Sequence, residues 1–392
     1  MLCRREFLAV AGALALPRAN AAIADPIAQY DSQGIHRTGT AVDRASADWL
    51  AGLVKSCGLK PQLEPFRLSR VDPQACFVEA GGRRVDGLPM FDGSFTDHGG
   101  IRGRIGAAGS DAPIGWLEAP PNGEAGELLE IRKSGRHKAI IVVTKGAVPG
   151  LSPINAAQFA HPMGPPVLQI SSEERGWISE LAGAKTDALV TAQVQRTDVE
   201  AFNVTAVRKG RDSKLPSVVV MTPRSGWWQC ASERGGGLVC WLELMRAIRE
   251  PARDFVFVAS SGHELGHLGL DSFIEKNSGL VKGARAWLHF GANIGAKEPG
   301  GVLQCSGDAM ESLATRELGG AGITLTPQPR GRVPGGEAGN IHKGGGQYIS
   351  VIGRNAFFHN QADRWPDAVD TIALAKFVSA FVNIAKDLEK TA

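Results

Sequence analysis

The stretch "DFVFVASSGHELGHLGL", Asp254 to Leu270, decides the fold. Its first half is an unbroken apolar run of valine and phenylalanine. That pattern marks a strand buried on both faces, because a half-exposed strand alternates apolar and polar residues. "SVVVM" (Ser217 to Met221), "ARAWLHF" (Ala284 to Phe290) and "YISVIG" (Tyr348 to Gly353) read the same way. Between and after them, "GLVCWLELMRAI" and "DAVDTIALAKFVSAFVNIAKDLEK" carry apolar residues at helical spacing. Strand, helix, strand over this length predicts an α/β fold: a mostly parallel central sheet flanked by helices.

Such sheets bind ligands beyond the carboxyl ends of their strands. Three unusual stretches fall there: "TPRSGWWQCASERGGG" from Thr222, "SGHELGHLG" from Ser261 and "GANIG" from Gly291. Residues distant in sequence are therefore expected to line one cleft.

Upstream, "DRASADWLAGLVKSC" (Asp43 to Cys57) reads as an amphipathic helix capped by Asp43, and "PQLEPFRL" as the strand after it. Residues 71–195 change character, with short alternating strands and many Gly and Pro, and predict a β-rich lobe with few helices. The expected organisation is a signal over 1–21, the first part of the main domain over 22–70, the insert over 71–195, and the main α/β domain over 196–392.

The 392 residues carry a formal net charge of +3 and no basic run, which argues against nucleic acid and leaves a small-molecule or peptide partner. "MLCRREFLAVAGALALPRANA" has Arg4-Arg5, a short apolar run and an Ala-Asn-Ala end, the pattern of a Tat export signal. Periplasmic or secreted localisation, with no membrane attachment after cleavage, follows as an expectation. Beyond that signal stand five cysteines, Cys57, Cys76, Cys230, Cys240 and Cys305, an odd number that matches no zinc ribbon.

His263-Glu264-Leu265-Gly266-His267 has HExxH spacing. On a helix that spacing gives two imidazoles for one zinc and a glutamate to act on the metal-bound water. Gly266 and Gly269 weaken a helix here, and Leu270 stands where an extended motif places a third ligand. The competing reading is a pair of hydrogen-bonded histidines at a helix start.

The order of elements from Asn203 onward resembles family twenty-eight of the metallopeptidases, the secreted zinc aminopeptidase type. "NVTAVRKGRDSKLPSVVVM" looks like its entry strands, and "FVFVASSGHELGHLGLDSF" like its "E-E-x-G-L-x-G-S" segment. "ISVIGRNAFFHNQADRWPDAVD" resembles its last strand and the stretch that often reads "H-T-x-x-D". The resemblance implies a zinc-aminopeptidase-like fold with a protease-associated-type insert, and hydrolysis of a peptide or other amide at a two-zinc centre.

Carried over, the first ligand falls on Pro223 and the bridging carboxylate on Glu233. The paired glutamates fall on His263, at the base position, and on Glu264, at a ligand position. The next ligand falls near Gly291, with His289 two residues before, and the last near Gly339, with Glu337 close by. A two-zinc centre is therefore not expected unchanged.

Two registers compete. In one, Glu264 is a ligand and His263 the base; in the other, His263 and His267 hold zinc and Glu264 activates water. A rebuilt site would add Glu233 or His289 as a metal ligand. Arg224 and Arg234 could clamp a carboxylate, and Trp227 and Trp228 could stack on substrate. The expectation is a hydrolase of a peptide or amide with an altered zinc centre. The alternatives are a non-catalytic binding protein, or a metal-independent enzyme using Cys230 or Ser225. His359 and Asp363 are expected to fix a loop.

Overall fold

The computed structural model describes residues 23–390; the signal-type segment lies outside them. A helix over 23–32 is followed by the helix Ala41–Ser56. The chain then enters a long two-stranded ribbon, in which Gln62–Ala80 pairs antiparallel with Asp187–Arg208.

The centre of the main sheet runs in the order Tyr348–Gly353, Ala286–Ala292, Val218–Pro223, Phe255–Ser260. All neighbours in this group of four are parallel. Antiparallel strands border it: Gly301–Cys305 on one side and the ribbon strand Asp187–Arg208 on the other. The α/β expectation therefore holds, with a parallel core inside a mixed sheet.

Every residue of Val218–Pro223 is buried, and burial on two faces explains the unbroken apolar run. Val218 and Val220 face a core shared with the helices Gly235–Ala247 and Thr371–Lys390. Val219 and Met221 face the opposite core, against Leu270, Phe273 and Ile341. Helix Gly235–Ala247 lies so close to the sheet that a Cβ at Gly237 would stand 2.5 Å from the Thr222 hydroxyl oxygen, and one at Gly236 would stand 1.7 Å from the Ile294 carbonyl oxygen just past the strand Ala286–Ala292. Its glycines are thus required for close helix–sheet packing.

Between the two ribbon strands lies a lobe with its own sheet. Ile101–Ala107, Ile114–Ala119, Ala139–Thr144 and Val167–Ile170 run parallel in that order, and helices Glu127–Ser134 and Arg175–Gly183 accompany them. Among the described residues, no helix is long and apolar enough to cross a membrane.

Two local expectations are corrected. Thr40, not Asp43, caps the helix Ala41–Ser56, accepting from the Asp43 amide. Asp43 is drawn inward instead, to Arg224 and to the Ser261 hydroxyl. The HExxH segment is not a helix. His263–Leu265 is a single 3-10 turn, and Gly266 and His267 both take left-handed backbone, φ 75° and 70°. Helix resumes only at Leu268. Gly266 supplies that left-handed step at little cost and leaves room for the Ala157 carbonyl of the insert lobe, which a Cβ would approach to 2.9 Å.

Candidate functional site

A cleft of about 1220 Å³ opens at the carboxyl ends of the parallel strands, roofed by the insert lobe. His263, His267 and His359 line it, with Asn155 and Gln158 from the lobe and Asn293, Asn355 and Arg354 opposite. This is the edge the strand pattern selects.

The strand Phe255–Ser260 delivers His263 and Glu264 to two different places. Glu264 is fully buried behind the cleft. One of its oxygens accepts from the Ser225 hydroxyl at 2.7 Å and the other from the Thr38 amide at 2.8 Å. The Ser225 oxygen in turn accepts the Gly262 amide at 2.8 Å. Glu264 and Ser225 therefore brace the turn.

His263 faces inward from the cleft wall. Its Nδ1 stands 3.6 Å from a carboxylate oxygen of Glu337, which itself accepts from the Ser260 hydroxyl at 2.6 Å. Burial, then the nearby charge of Arg234, push the His263 pKa well below the ordinary histidine range. It is a neutral imidazole at pH 7. His267 stacks on it, ring centroids 4.9 Å apart, but donates through Nδ1 to Asn340 at 2.8 Å.

His289 lies behind, fully buried. The Ser350 hydroxyl donates to Gln304, so it must accept from His289 Nδ1–H at 2.9 Å. The His289 Nε2 lone pair is then left without a hydrogen-bond partner. Burial lowers this pKa to about 4.

Glu233 comes from the loop before helix Gly235–Ala247. An oxygen of its carboxylate is 2.7 Å from Arg234 Nη2 and 3.3 Å from His359 Nε2. Burial opposes ionisation of Glu233, but Arg234 and His359 outweigh it and hold its pKa far below the carboxylate range. Asp363 accepts the Ser232 and Glu233 amides at 2.9 Å each and so fixes that loop. Its own pKa is pushed up to about 7 by burial and by the Glu233 charge.

Several site residues named from sequence lie elsewhere than expected. Arg224 does not line the cleft; it is fully buried, paired with Asp43 at 2.8 Å and bonded to the Phe202 carbonyl. Arg234 is likewise buried beneath the cleft floor. Trp227 packs edge-on against Phe91 and donates to Asn155, while Trp228 donates to the His359 carbonyl. Both tryptophans join the lobe and the loops to the main domain. Cys230 is buried, with a thiol pKa raised well above the ordinary value by burial, which disfavours a thiolate nucleophile. The five cysteines are all free.

Glu337 and His359 are named in the sequence reading only beside the last ligand frame and as a loop residue, and the structure brings both into the centre. His359 does fix a loop, donating from Nδ1 to the Pro153 carbonyl at 2.6 Å, but its other nitrogen enters the centre. The signal for it was present in "HNQAD", which matches the family's H-T-x-x-D stretch better than the frame near Gly339 does.

The centre can be tested for zinc. Buried acceptor atoms without hydrogen-bond partners do gather here: both Glu233 oxygens, one Glu337 oxygen and His289 Nε2. Such a set calls for a cation. Yet no three His, Cys, Asp or Glu side chains among the described residues are grouped to hold one ion. Glu264 is turned away, His267 is committed to Asn340, and Glu233 already contacts a guanidinium. The residues do not fit a zinc pair of the family type.

The fold itself is that of the zinc aminopeptidases. BSAP, a zinc aminopeptidase from Bacillus subtilis, matches at TM-score 0.76 and 16% identity, over 95% of this chain and 96% of its own. An aminopeptidase from Aneurinibacillus sp. strain AM-1 gives 0.70 and 15%, over 93% and 92%. A Peptidase M28 precursor from Shewanella amazonensis SB2B gives 0.73 and 15%, over 96% of each chain. No family model and no curated protein sequence matches the chain.

The buried histidines set an acid limit on the fold. His36 stacks on Tyr30 at 3.7 Å, and burial lowers its pKa to about 3. For His36 and His289 alike, the folded pKa is below the unfolded value of about 6.5. The unfolded chain then binds protons that the folded chain refuses. Stability is full above pH 6.5 and is lost as pH falls toward 4 and then 3. Asp363 works the other way, shedding a buried charge as pH falls from 7. The urea midpoint should drop between pH 6.5 and 4, and less steeply in His36→Phe, which keeps an aromatic stack. Parallel curves for the two proteins would rule out His36 as a source.

Proposed function

We propose that the chain is an exported hydrolase of the aminopeptidase fold, directed at a peptide or other amide bond, with His263 as its base. One observation carries this. His263 is a neutral imidazole with its inner nitrogen toward the Glu337 carboxylate and a flank on the cleft. In the family frame it stands at the base position. A water on the cleft side would lose its proton to the imidazole as its oxygen attacks the amide carbon. Glu337 would stabilise the imidazolium so formed, and the proton would then pass to the departing amine as the C–N bond breaks. Carboxamide side chains around the cleft, Gln158, Asn293 and Asn355 among them, can both donate and accept, which suits a peptide backbone. With Arg224 and Arg234 buried, an anionic substrate group would meet Arg354 and Lys343 at the cleft instead.

A second reading is favoured by the buried Arg234 in place of a metal: a protein that binds peptides in this cleft without cleaving them. Incubation with aminoacyl p-nitroanilides and a mixed peptide library, read by absorbance and mass spectrometry, separates the two. New amine termini that require His263 support the hydrolase. Saturable peptide binding with no cleavage supports the second reading.

A further inference from the structure

We propose that the Arg234 guanidinium is a built-in cation standing in for a metal, so that Glu233 is charge-paired and its loop ordered without zinc. The proposal concerns the same site but does not depend on hydrolysis, since it is read from metal content and stability.

The geometry of this one side chain is the reason. Arg234 is fully buried, and its nitrogens reach three separate segments. Nε donates to the Ser225 carbonyl at 2.8 Å, just past the strand Val218–Pro223. Nη1 donates to the Gly291 carbonyl at 3.2 Å, in the strand Ala286–Ala292. Nη2 faces the Glu233 carboxylate at 2.7 Å. A flat fork with five donors suits fixed carbonyls and a carboxylate together, which a spherical ion would not require.

The same contact excludes zinc from Glu233. A zinc on that carboxylate would sit about 2.0–2.2 Å from an oxygen. Arg234 Nη2 already lies against Glu233 Oε1, and His359 Nε2 approaches the same oxygen at 3.3 Å. A divalent ion beside a buried guanidinium would meet strong repulsion where water cannot screen it. Arginine cannot relieve this by losing its proton. Glu264, at the other family ligand position, has both oxygens satisfied by Ser225 and Thr38.

The chain thus carries its own counter-charge for Glu233. Its site is complete once the chain has folded and is independent of metal supply.

The test uses the mature protein purified without chelator. Elemental analysis should find no stoichiometric zinc, and the thermal midpoint should be unchanged by EDTA or by added zinc. Stoichiometric zinc, or a midpoint that falls on chelation, overturns the proposal. Arg234→Gln leaves Glu233 buried with only His359 beside it and should lower the midpoint by about 10 °C. The double variant Glu233→Gln/Arg234→Gln removes both charges and should recover most of that loss. A double variant as unstable as the single one overturns the proposal, because Glu233 would then not be what the guanidinium balances. If the single variant fails to accumulate, folding of the double variant and the wild-type metal content give the answer.

Discussion

Asp43→Ala is expected to destabilise the fold by about 3–5 kcal/mol, the usual cost of stranding one partner of a buried ion pair. Asp43 is 1% exposed and Arg224 0%, so water cannot take over the lost contact. Asp43 also accepts the Gly39 amide at 2.9 Å and the Ser261 hydroxyl at 3.0 Å. One carboxylate therefore ties three segments together: the start of helix Ala41–Ser56, the residue after strand Val218–Pro223, and the turn before His263. Chemical denaturation should report the loss. The double variant Asp43→Asn/Arg224→Met removes both charges and should be less destabilised than Asp43→Ala. Equal stability of wild type and Asp43→Ala would mean that the pair does not hold these segments.

His263→Ala is expected to lower turnover of any amide substrate by about 10²–10⁴-fold, the range for a lost general base. The thermal midpoint should change little, because the imidazole makes no hydrogen bond that the fold needs: its Nδ1 has no hydrogen-bond partner. Substrate affinity should survive, since the carboxamides around the cleft remain. The control is Glu264→Gln. In the HExxH register this change would abolish activity as strongly as His263→Ala. With Glu264 bracing Ser225 and Thr38, it should act mainly through stability. Equal loss of turnover in the two variants at unchanged stability would return Glu264 to the chemistry and remove His263 as sole base. A Glu337→Gln variant should keep substrate affinity and lose part of the turnover, as a positioning residue does.

The main-domain architecture was legible in the chain because burial on two faces leaves a period-free apolar run, and several such runs alternate with helical patterns there. Val218–Met221, Phe255–Ala259 and Trp287–Phe290 declare themselves as central strands, and the cleft follows at their carboxyl ends. His263 and Glu233 could likewise be placed at that edge from their offsets to the strands. The roles within the site were not legible, because they depend on side-chain direction over a few residues of irregular backbone. HExxH spacing carries meaning only on a helix, and two consecutive left-handed residues, Gly266 and His267, break it.

Adjacent letters then part company. Glu264 turns into the brace, His263 toward Glu337, and His267 toward Asn340. Arg224 and Arg234 looked alike in sequence as substrate clamps, yet both are consumed inside the protein. The sequence by itself determined the parallel strands, their helices and the edge where the cleft opens, because local pattern reports burial. Only the tertiary structure decided that Glu337 and His359 join the centre and that a guanidinium lies against Glu233. The His263–Glu337 and Glu233–His359 contacts join residues about a hundred positions apart. The Arg234–Glu233 contact between neighbours depends on side-chain direction in an irregular loop, so no local pattern encodes which of several buried polar groups will meet.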